Sequence, residues 1–316
     1  MKIAENALDA IGNTSLVQLK KVVPKDHARI LVKLEWENPT GSMKDRMAQS
    51  MIEKAEEDGR LSPGGTVVEY TGGSTGTSLA LVCAIKGYRF RVVSSDAFSQ
   101  EKLDHMKALG AEVTIIPSEG RGIRKELIEK MIETAREMTD EPGTYWTDQL
   151  NNKDNLSGYF PLGEEIWDQT HGQVDAFVHV AGTAGSIVGT SSVLREHKPQ
   201  VRIVAVEPDE SPVLSGGESG SHGIEGIGTG FVPPLWDGGL VDEIVRISTE
   251  EAMEMARRLA REEGLCAGTS SGANVVAAIK IAKRLGPSAT VVTLLVDSGV
   301  KYLSTNLYKS GQSRPR

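Results

Sequence analysis

The stretch TVVEYTGGSTGTSLALVCAIKG, residues 66–87, joins a β-branched run to an apolar helical run through a glycine turn. TVVEY predicts a strand, and the residues from position 74 onward predict a helix that ends at the glycine of position 87. A strand that leads directly into a helix is the repeating unit of a parallel sheet covered by helices. This stretch therefore predicts an α/β fold.

The same alternation recurs along the chain. RFRVVSS (89–95) precedes the helical pattern SQEKLDHMKALG (99–110), and EVTII (112–116) precedes a charged helix from about Arg121 to Thr139. A second series of strand and helix patterns follows. Its predicted elements are VDAFVHV (174–180), a helix ending near Arg195, VRIVAVEP (201–208), a helix from the capping box of Ser248 and Glu251 to Glu263, SGANVVAAIKIAKRLG (271–286) and the buried strand ATVVTLLV (289–296).

The length of the chain indicates more than one domain. A chain of 316 residues exceeds the usual size of one hydrophobic core, so the two series predict two α/β domains. The polar stretch TDQLNNKDNLSG (147–158) is the candidate boundary. The glycine-rich run through residues 214–230 is typical of a flexible surface loop.

Composition narrows the class of function. With 39% hydrophobic and 25% charged residues the chain is of the ordinary globular type. A formal net charge of −8 argues against a nucleic-acid partner, because binders of the phosphate backbone carry clustered basic surfaces. Cys83 and Cys266 lie in apolar stretches without disulfide or metal spacing, so we expect two buried thiols. No secretory signal and no membrane-spanning run is expected, which favours the cytoplasm.

Lys44 is the first candidate for chemistry. In ENPTGSMKDRMAQSMIEKAEEDG, Ser42 and Asp45 predict a capping box, and the apolar spacing predicts a helix from about residue 43. Lys44 then lies in the first turn, where the helix dipole disfavours a cation. A lysine that forms a Schiff base requires a partly buried site and a lowered pKa. The simpler alternative is that Lys44 is an exposed surface lysine.

Three small-residue turns are the other candidates. TGGSTG (71–76) and AGTAGS (181–186) each follow a predicted strand and begin a predicted helix, so their backbone N–H groups predict anion sites. The first suits a carboxylate and the second a phosphate monoester, since neither dinucleotide-binding nor P-loop spacing is present. AGTSSGAN (267–274) also begins a helix. Tight connections and a plain N-cap remain the structural alternatives.

Together these segments resemble one enzyme family. NPTGSMKDR is similar to the cofactor-lysine segment of the cysteine synthase and cystathionine β-synthase family, which uses pyridoxal phosphate. The resemblance covers nearly the whole chain. It runs through IGNTSLVQL (11–19), TGGSTG, KALGAEV (107–113), GTAGS, EGIGTGF (225–231), GTSSGA (268–273) and DSGVKYLST (297–305).

The resemblance implies a role for each matching position. Lys44 holds pyridoxal 5'-phosphate as a Schiff base and later takes the α-proton of the substrate. The implied cofactor-binding residues are Lys44, Ser74, Gly182, Thr183, Ala184, Gly185, Ser186 and Ser270, with Ser271 as the nearby alternative to Ser270. The implied substrate-binding residues are Thr71, Gly72, Gly73, Ser74, Thr75, Gln149, Gly226 and Gly228. No metal is implied.

The resemblance also implies an architecture and an activity. The fold is of the tryptophan synthase β type (fold type II), with the cofactor in the cleft between a smaller domain, 40–148, and a larger one, 1–39 plus 149–316. The implied reaction is β-replacement on O-acetyl-L-serine by sulfide, giving L-cysteine and acetate. Cystathionine synthesis, dehydration at the same site, and a non-catalytic binding protein are the alternatives. A homodimer and the C-terminal tail of serine acetyltransferase are the implied partners.

The 71–76 segment departs from the family pattern. The family loop usually reads TSGNTG, whereas Gly72 stands in place of the serine and Ser74 in place of the asparagine. The stretch LNNKDN after Gln149 lacks the usual Asn-Pro pair. These departures concern the substrate side of the site, so they bear on the donor and the nucleophile rather than on the cofactor.

Overall fold

The computed structural model describes residues 3–120 and 124–309. In these ranges the chain forms two separate sheets, one of six strands and one of four. The strands are β1 (Leu16–Gln18), β2 (Arg29–Leu34), β3 (Thr66–Tyr70), β4 (Arg89–Ser95), β5 (Glu112–Ile116), β6 (Thr144–Trp146), β7 (Ala176–Val180), β8 (Arg202–Pro208), β9 (Glu243–Ile247) and β10 (Thr290–Leu295).

Helices connect most of these strands. The α-helices are α1 (Lys44–Glu57), α2 (Ser74–Lys86), α3 (Gln100–Ala108), α4 (Lys125–Met138), α5 (Asp154–Ser157), α6 (Phe160–Gln169), α7 (Gly185–His197), α8 (Thr249–Arg258) and α9 (Thr269–Leu285). A five-residue π-helix, Leu259–Glu263, continues α8, and Gly264 with φ of 74° ends it. The capping box of Ser248 and Glu251 is present.

The larger sheet has the order β1-β2-β10-β7-β8-β9. All its neighbouring strands run parallel except β1, which pairs with β2 in the antiparallel sense. Every residue of β7 and β10 is buried, as the continuous apolar run at 289–296 predicted. The prediction of an α/β fold with parallel sheets is confirmed.

The smaller sheet has the order β5-β4-β3-β6 and is parallel throughout. The strand of the 66–87 stretch, β3, is an interior strand of this sheet and pairs with a neighbour on each side. The carboxyl ends of parallel strands meet at one edge, so the turns that follow β3 and β6 lie together there. That edge is where the first predicted anion site lies.

The predicted capping box of Ser42 and Asp45 does not form. Met43 occupies the N-cap position, and the helix begins at Lys44. The Asp45 carboxylate instead accepts hydrogen bonds from the backbone N–H of Thr40 (2.8 Å) and from Ser78 Oγ (2.6 Å). This carboxylate is therefore used to fasten the preceding loop to α2, which a local pattern does not reveal.

Other expectations need correction or lie out of range. Cys83 is buried as predicted, but Cys266 is exposed because its loop before α9 runs along the surface. The charged helix predicted from about Arg121 begins at Lys125, and residues 121–123 lie outside the described residues. Strands β1, β2, β6 and β9 and helix α6 had no counterpart among the predictions. Among the described residues, no helix is both long and apolar enough to cross a bilayer.

Candidate active site

Lys44 occupies the first position of α1 and is buried, with 8% of its surface exposed. Burial lowers the pKa of its ammonium from 10.5 to about 8, although the charge of Asp297 acts in the opposite direction. Within residues 3–120 and 124–309, no acceptor is found within hydrogen-bond distance of Lys44 Nζ. Within the described residues, Lys44 is therefore a buried amine that makes no hydrogen bond and loses its proton more readily than an ordinary lysine.

Lys44 faces a cleft into which all three small-residue turns open. Most of the predicted site residues line it, while Ala184 and Gly185 are packed behind its wall. The predicted residues on the lining are Lys44, Thr71, Gly72, Gly73, Ser74, Thr75, Gln149, Gly182, Thr183, Ser186, Gly226, Gly228 and Ser270.

The 71–75 turn is held in place by hydrogen bonds with Gln149 and within the turn itself. Thr75 Oγ1 donates to Gln149 Oε1 (2.9 Å), and Gln149 Nε2 donates to the carbonyl of Tyr70 (2.8 Å). The hydroxyl of Thr71 accepts the N–H of Gly73 (3.1 Å). These bonds leave the first backbone N–H groups of α2 facing the cleft, where an anion is favoured by the helix dipole.

Phe98 explains why a glycine occupies position 72. A Cβ at Gly72 would lie 2.5 Å from Phe98 Cε1, so the aromatic ring fills the space that a serine side chain requires. Gly73, with φ of 138°, lies against the stem of Lys102, whose Cδ would be 2.4 Å from an added Cβ. The departure from the TSGNTG pattern is thus compensated by a residue 26 positions away.

Substitution of Gly72 by serine is expected to destabilise the protein by about 1–3 kcal/mol, the usual cost of overpacking. In a Phe98→Ala background the same substitution should cost less than about 0.5 kcal/mol, because the clash is gone. Urea unfolding of the four proteins of this cycle measures both values. Equal costs in the two backgrounds would show that the ring of Phe98 is not the obstacle.

The 182–186 turn has no room for a side chain at either of its two glycines. A Cβ at Gly182 would lie 2.4 Å from the carbonyl oxygen of Gly226, and one at Gly185 would lie 2.1 Å from Asn155 Oδ1. Ala184 adopts a left-handed conformation with φ of 68°, just before α7 begins. The turn thus presents backbone and small side chains at the amino terminus of a 13-residue helix, which suits a phosphate monoester.

Ser270 and Ser271 have different surroundings. Ser270 lines the cleft from the first turn of α9. Ser271 is fully buried, and its hydroxyl accepts the N–H of Val296 (2.9 Å). Of these two neighbours, Ser270 is therefore the one with a hydroxyl available to a ligand.

The cleft contains an ionic network that the sequence analysis missed. Lys102 Nζ lies 2.6 Å from a carboxylate oxygen of Glu225 and donates to Tyr302 Oη (3.2 Å). Tyr302 Oη donates to Asp297 Oδ2 (2.8 Å), which also accepts from Ser74 Oγ (3.3 Å). Lys102, Glu225 and the Asp297–Tyr302 pair come from three distant parts of the chain, so no local pattern links all of them.

The glycine-rich run through residues 214–230 also differs from its prediction. Residues 215–221 are exposed, as a surface loop should be, but Ser219, Gly220, His222 and the residues from Glu225 to Gly230 line the cleft. The backbone N–H of Glu225 donates to Thr269 Oγ1 (3.0 Å), which ties the run to the start of α9. Half of this segment therefore belongs to the site.

The chain is similar to known proteins over nearly its whole length. The sequence profile of the family described as "pyridoxal-phosphate dependent enzyme" matches residues 7–297. A cysteine synthase of Staphylococcus aureus is 44% identical over 309 residues, which is 97% of this chain and 98% of that protein.

Solved structures give the same result. A cysteine synthase of Entamoeba histolytica superposes with a TM-score of 0.92 at 37% identity, covering 99% of this chain and 93% of that one. An O-acetylserine dependent cystathionine β-synthase of Helicobacter pylori has a TM-score of 0.90 at 37% identity, covering 98% of this chain and 100% of that one.

Proposed function

Because this chain belongs to the family of pyridoxal-phosphate dependent enzymes, we propose that it catalyses β-replacement on O-acetyl-L-serine, with sulfide giving L-cysteine and acetate. The observation that carries the proposal is the buried Lys44 in a cleft lined by three small-residue turns. The similarity to cysteine synthases, at 44% identity over 97% of the chain, supports the same donor and nucleophile.

The residues of the cleft fit pyridoxal phosphate. Lys44 Nζ would hold its aldehyde carbon, and the 182–186 turn would hold its phosphate, because this turn lies at the amino terminus of α7. The hydroxyl of Ser270 would lie at the ring nitrogen. A neutral hydroxyl in that position leaves the ring uncharged, which favours departure of a β-substituent over transamination.

When bound, pyridoxal phosphate supplies withdrawal of electrons from the α-carbon of an amino acid. Lys44 Nζ would take the proton from that carbon. Its pKa of about 8 makes the neutral amine accessible near pH 7, whereas an ordinary lysine would hold its proton too strongly. After the β-substituent has left, the same nitrogen returns the proton when the nucleophile has added.

We assign the substrate carboxylate to the 71–75 turn. Backbone N–H groups at the start of α2 would hold it, with Gln149 kept in place by Thr75 and the carbonyl of Tyr70. Gly226 and Gly228, which also line the cleft, would limit the entry of water. The turn then orients the α C–H bond toward Lys44, which is the positional requirement of proton transfer.

The proposed reaction is tested by mixing the purified, cofactor-loaded protein with O-acetyl-L-serine and sulfide and measuring cysteine. We expect cysteine, and neither pyruvate nor cystathionine as the main product. Cystathionine formed with homocysteine in preference to cysteine, or pyruvate released from serine without a nucleophile, would instead establish one of the two alternative reactions. A protein that binds pyridoxal phosphate and converts none of these substrates would be a non-catalytic binding protein.

We further propose that the chain works in the cytoplasm as a homodimer, with residues 40–148 forming the smaller domain and residues 1–39 and 149–316 the larger one. The two sheets support this division, since the four-stranded sheet lies wholly within residues 40–148.

A serine acetyltransferase tail is the proposed protein ligand of the cleft. Sedimentation tests the dimer, and titration with a tail peptide tests the partner.

A further inference from the structure

His179 lies directly behind the 182–186 turn and has no assigned role. It is on β7, and none of its surface is exposed. Its Nε2 lies 2.9 Å from the hydroxyl of Ser186, and its Nδ1 lies 3.2 Å from Nδ2 of Asn274. A buried imidazole with one contact at each ring nitrogen can serve as donor on one side and acceptor on the other.

Asn274 determines which ring nitrogen of His179 is the donor and which is the acceptor. Its Oδ1 accepts the backbone N–H of Val180 (2.8 Å), and its Nδ2 donates to the carbonyl of Leu294 (2.8 Å). The partners are a pure donor and a pure acceptor, so the amide has only one orientation that satisfies both. Nδ2 therefore faces the imidazole with its second hydrogen, and His179 Nδ1 must be the acceptor.

The proton of the neutral imidazole is consequently on Nε2. From there His179 donates to Ser186 Oγ, and a hydroxyl that accepts this bond must turn its own hydrogen elsewhere. Burial, together with the smaller effect of the nearby charge of Lys44, lowers the pKa of His179 to about 3. The imidazole is thus neutral at physiological pH, and the direction of the chain from Asn274 to Ser186 is fixed.

We propose that His179 is a positioning residue that, through Ser186, directs a hydroxyl hydrogen at the phosphate of the cofactor. Ser186 is the second residue of α7 and lines the cleft. A phosphate monoester is almost entirely an acceptor at neutral pH, so a hydroxyl that is already oriented as a donor binds it without a further loss of rotational freedom. The inference rests on the proposed function, because it takes pyridoxal phosphate as the ligand.

The test compares two ligands that differ only in the phosphate. Apoprotein is titrated with pyridoxal phosphate and with pyridoxal, and binding is followed by equilibrium dialysis. In the His179→Leu variant we expect affinity for pyridoxal phosphate to fall about tenfold, the effect of one hydrogen bond to a charged group. Affinity for pyridoxal should stay within about twofold. His179→Gln, which can donate from its amide nitrogen, should recover most of the loss.

Two further variants separate positioning from general damage to the core. Thr293→Val removes another fully buried hydrogen bond, from Thr293 Oγ1 to the carbonyl of Val178 on β7, and should change neither affinity. Ser186→Ala, at the rim of the cleft, should produce the same phosphate-selective loss as His179→Leu. Adding His179→Leu to Ser186→Ala should then have no further effect on phosphate binding.

The inference is overturned if His179→Leu or Ser186→Ala weakens both ligands equally, or weakens neither. Should the leucine variant not fold, Ser186→Ala with His179→Gln still decides the matter, since neither removes core volume on the scale of an imidazole. Failure of the wild-type apoprotein to bind pyridoxal phosphate would instead refute the proposed function.

Discussion

Replacement of Lys44 by methionine is expected to reduce turnover of the amino-acid substrate by at least about 10³-fold, because both the covalent hold on the cofactor and the proton-transfer base are lost. Methionine is similar in length and apolar, so it keeps the packing around the first turn of α1. Steady-state formation of cysteine measures the loss. Borohydride reduction of the loaded wild-type protein, followed by peptide mass spectrometry, should place pyridoxal phosphate on Lys44.

The same substitution should stabilise the apoprotein. The pKa of Lys44 in the folded chain is about 8 and its ordinary value is 10.5, so folding is penalised wherever the ammonium is charged. The penalty is complete below pH 8 and disappears as the pH rises from 8 to 10.5. We expect Lys44→Met to add roughly 2–3 kcal/mol at pH 7 and much less at pH 10, measured by urea unfolding.

Lys54→Ala, in the same helix, is the matched control for Lys44→Met. Lys54 is half-exposed and pairs with Glu57 at the surface, so its removal should leave turnover unchanged and stability within about 0.5 kcal/mol. A Lys44→Met protein that keeps substantial turnover would remove this lysine from the mechanism. One that is less stable than wild type at pH 7 would contradict the description of Lys44 as a buried amine.

Replacement of Arg46 by methionine is expected to destabilise the protein by about 3–5 kcal/mol, because it leaves buried carboxylates without their partner. The Arg46 guanidinium lies 2.7 Å from carboxylate oxygens of both Glu35 and Glu165, and Glu35 is fully buried. Lys33, also fully buried, lies 2.6 Å from Glu165. The cluster joins β2, α1 and α6. Arg46 is two residues after Lys44, so the cluster fixes the first turn of the helix that carries this lysine.

The pH dependence of stability provides a second measurement of the cluster. Burial would raise the pKa of Glu165, but the hydrogen bond and charge of Arg46, together with Lys33, hold it at about 2. A lowered carboxyl pKa contributes stability above the ordinary value of 4.5 that is lost as pH falls toward 2. In Arg46→Met this acid-dependent loss should be smaller, since much of the charge that lowers the pKa is gone.

Arg60→Met is the control for the cluster. Arg60 pairs with Asp58 and Asp154 at 2.6 Å, but its side chain is 40% exposed, so its removal should cost no more than about 1 kcal/mol. Urea unfolding at pH 7 compares the two variants. If Arg46→Met and Arg60→Met cost the same, the buried cluster does not contribute to stability in the way that its geometry indicates.

The elements that the sequence predicted well are those whose signal is local. The 66–87 stretch, the strand at 112–116 and the capping box of Ser248 and Glu251 each carry their own periodicity or cap, and each is found in the structure. The shortest of the elements that were missed have weak signals. Strands β1 and β6 are three residues long, too short for a pattern of alternation to be distinguished from a loop.

Two predictions were wrong for the same reason, because the environment of the residue is set by the tertiary structure. Asp45 was predicted to cap its own helix, yet Ser78 on α2 offers its carboxylate a hydroxyl at 2.6 Å. Cys266 was expected to be buried because the residues around it are apolar, but the folded chain leaves this position of the loop exposed. The types of neighbouring residues in the sequence do not reveal which residue of another element will lie close by in the folded chain.

The sequence by itself determined the α/β architecture, the helix start at Lys44 and the three small-residue turns, because hydrophobic period, glycine placement and order along the chain are local quantities. Only the tertiary structure decided that Phe98 fills the space beside Gly72, that Ser270 rather than Ser271 reaches the cleft, and that Asn274 orients His179 toward Ser186. Each of these depends on atoms within a few ångströms that are separated by up to about a hundred residues. The burial that lowers the pKa of Lys44 likewise comes from elements that the chain reaches only when folded.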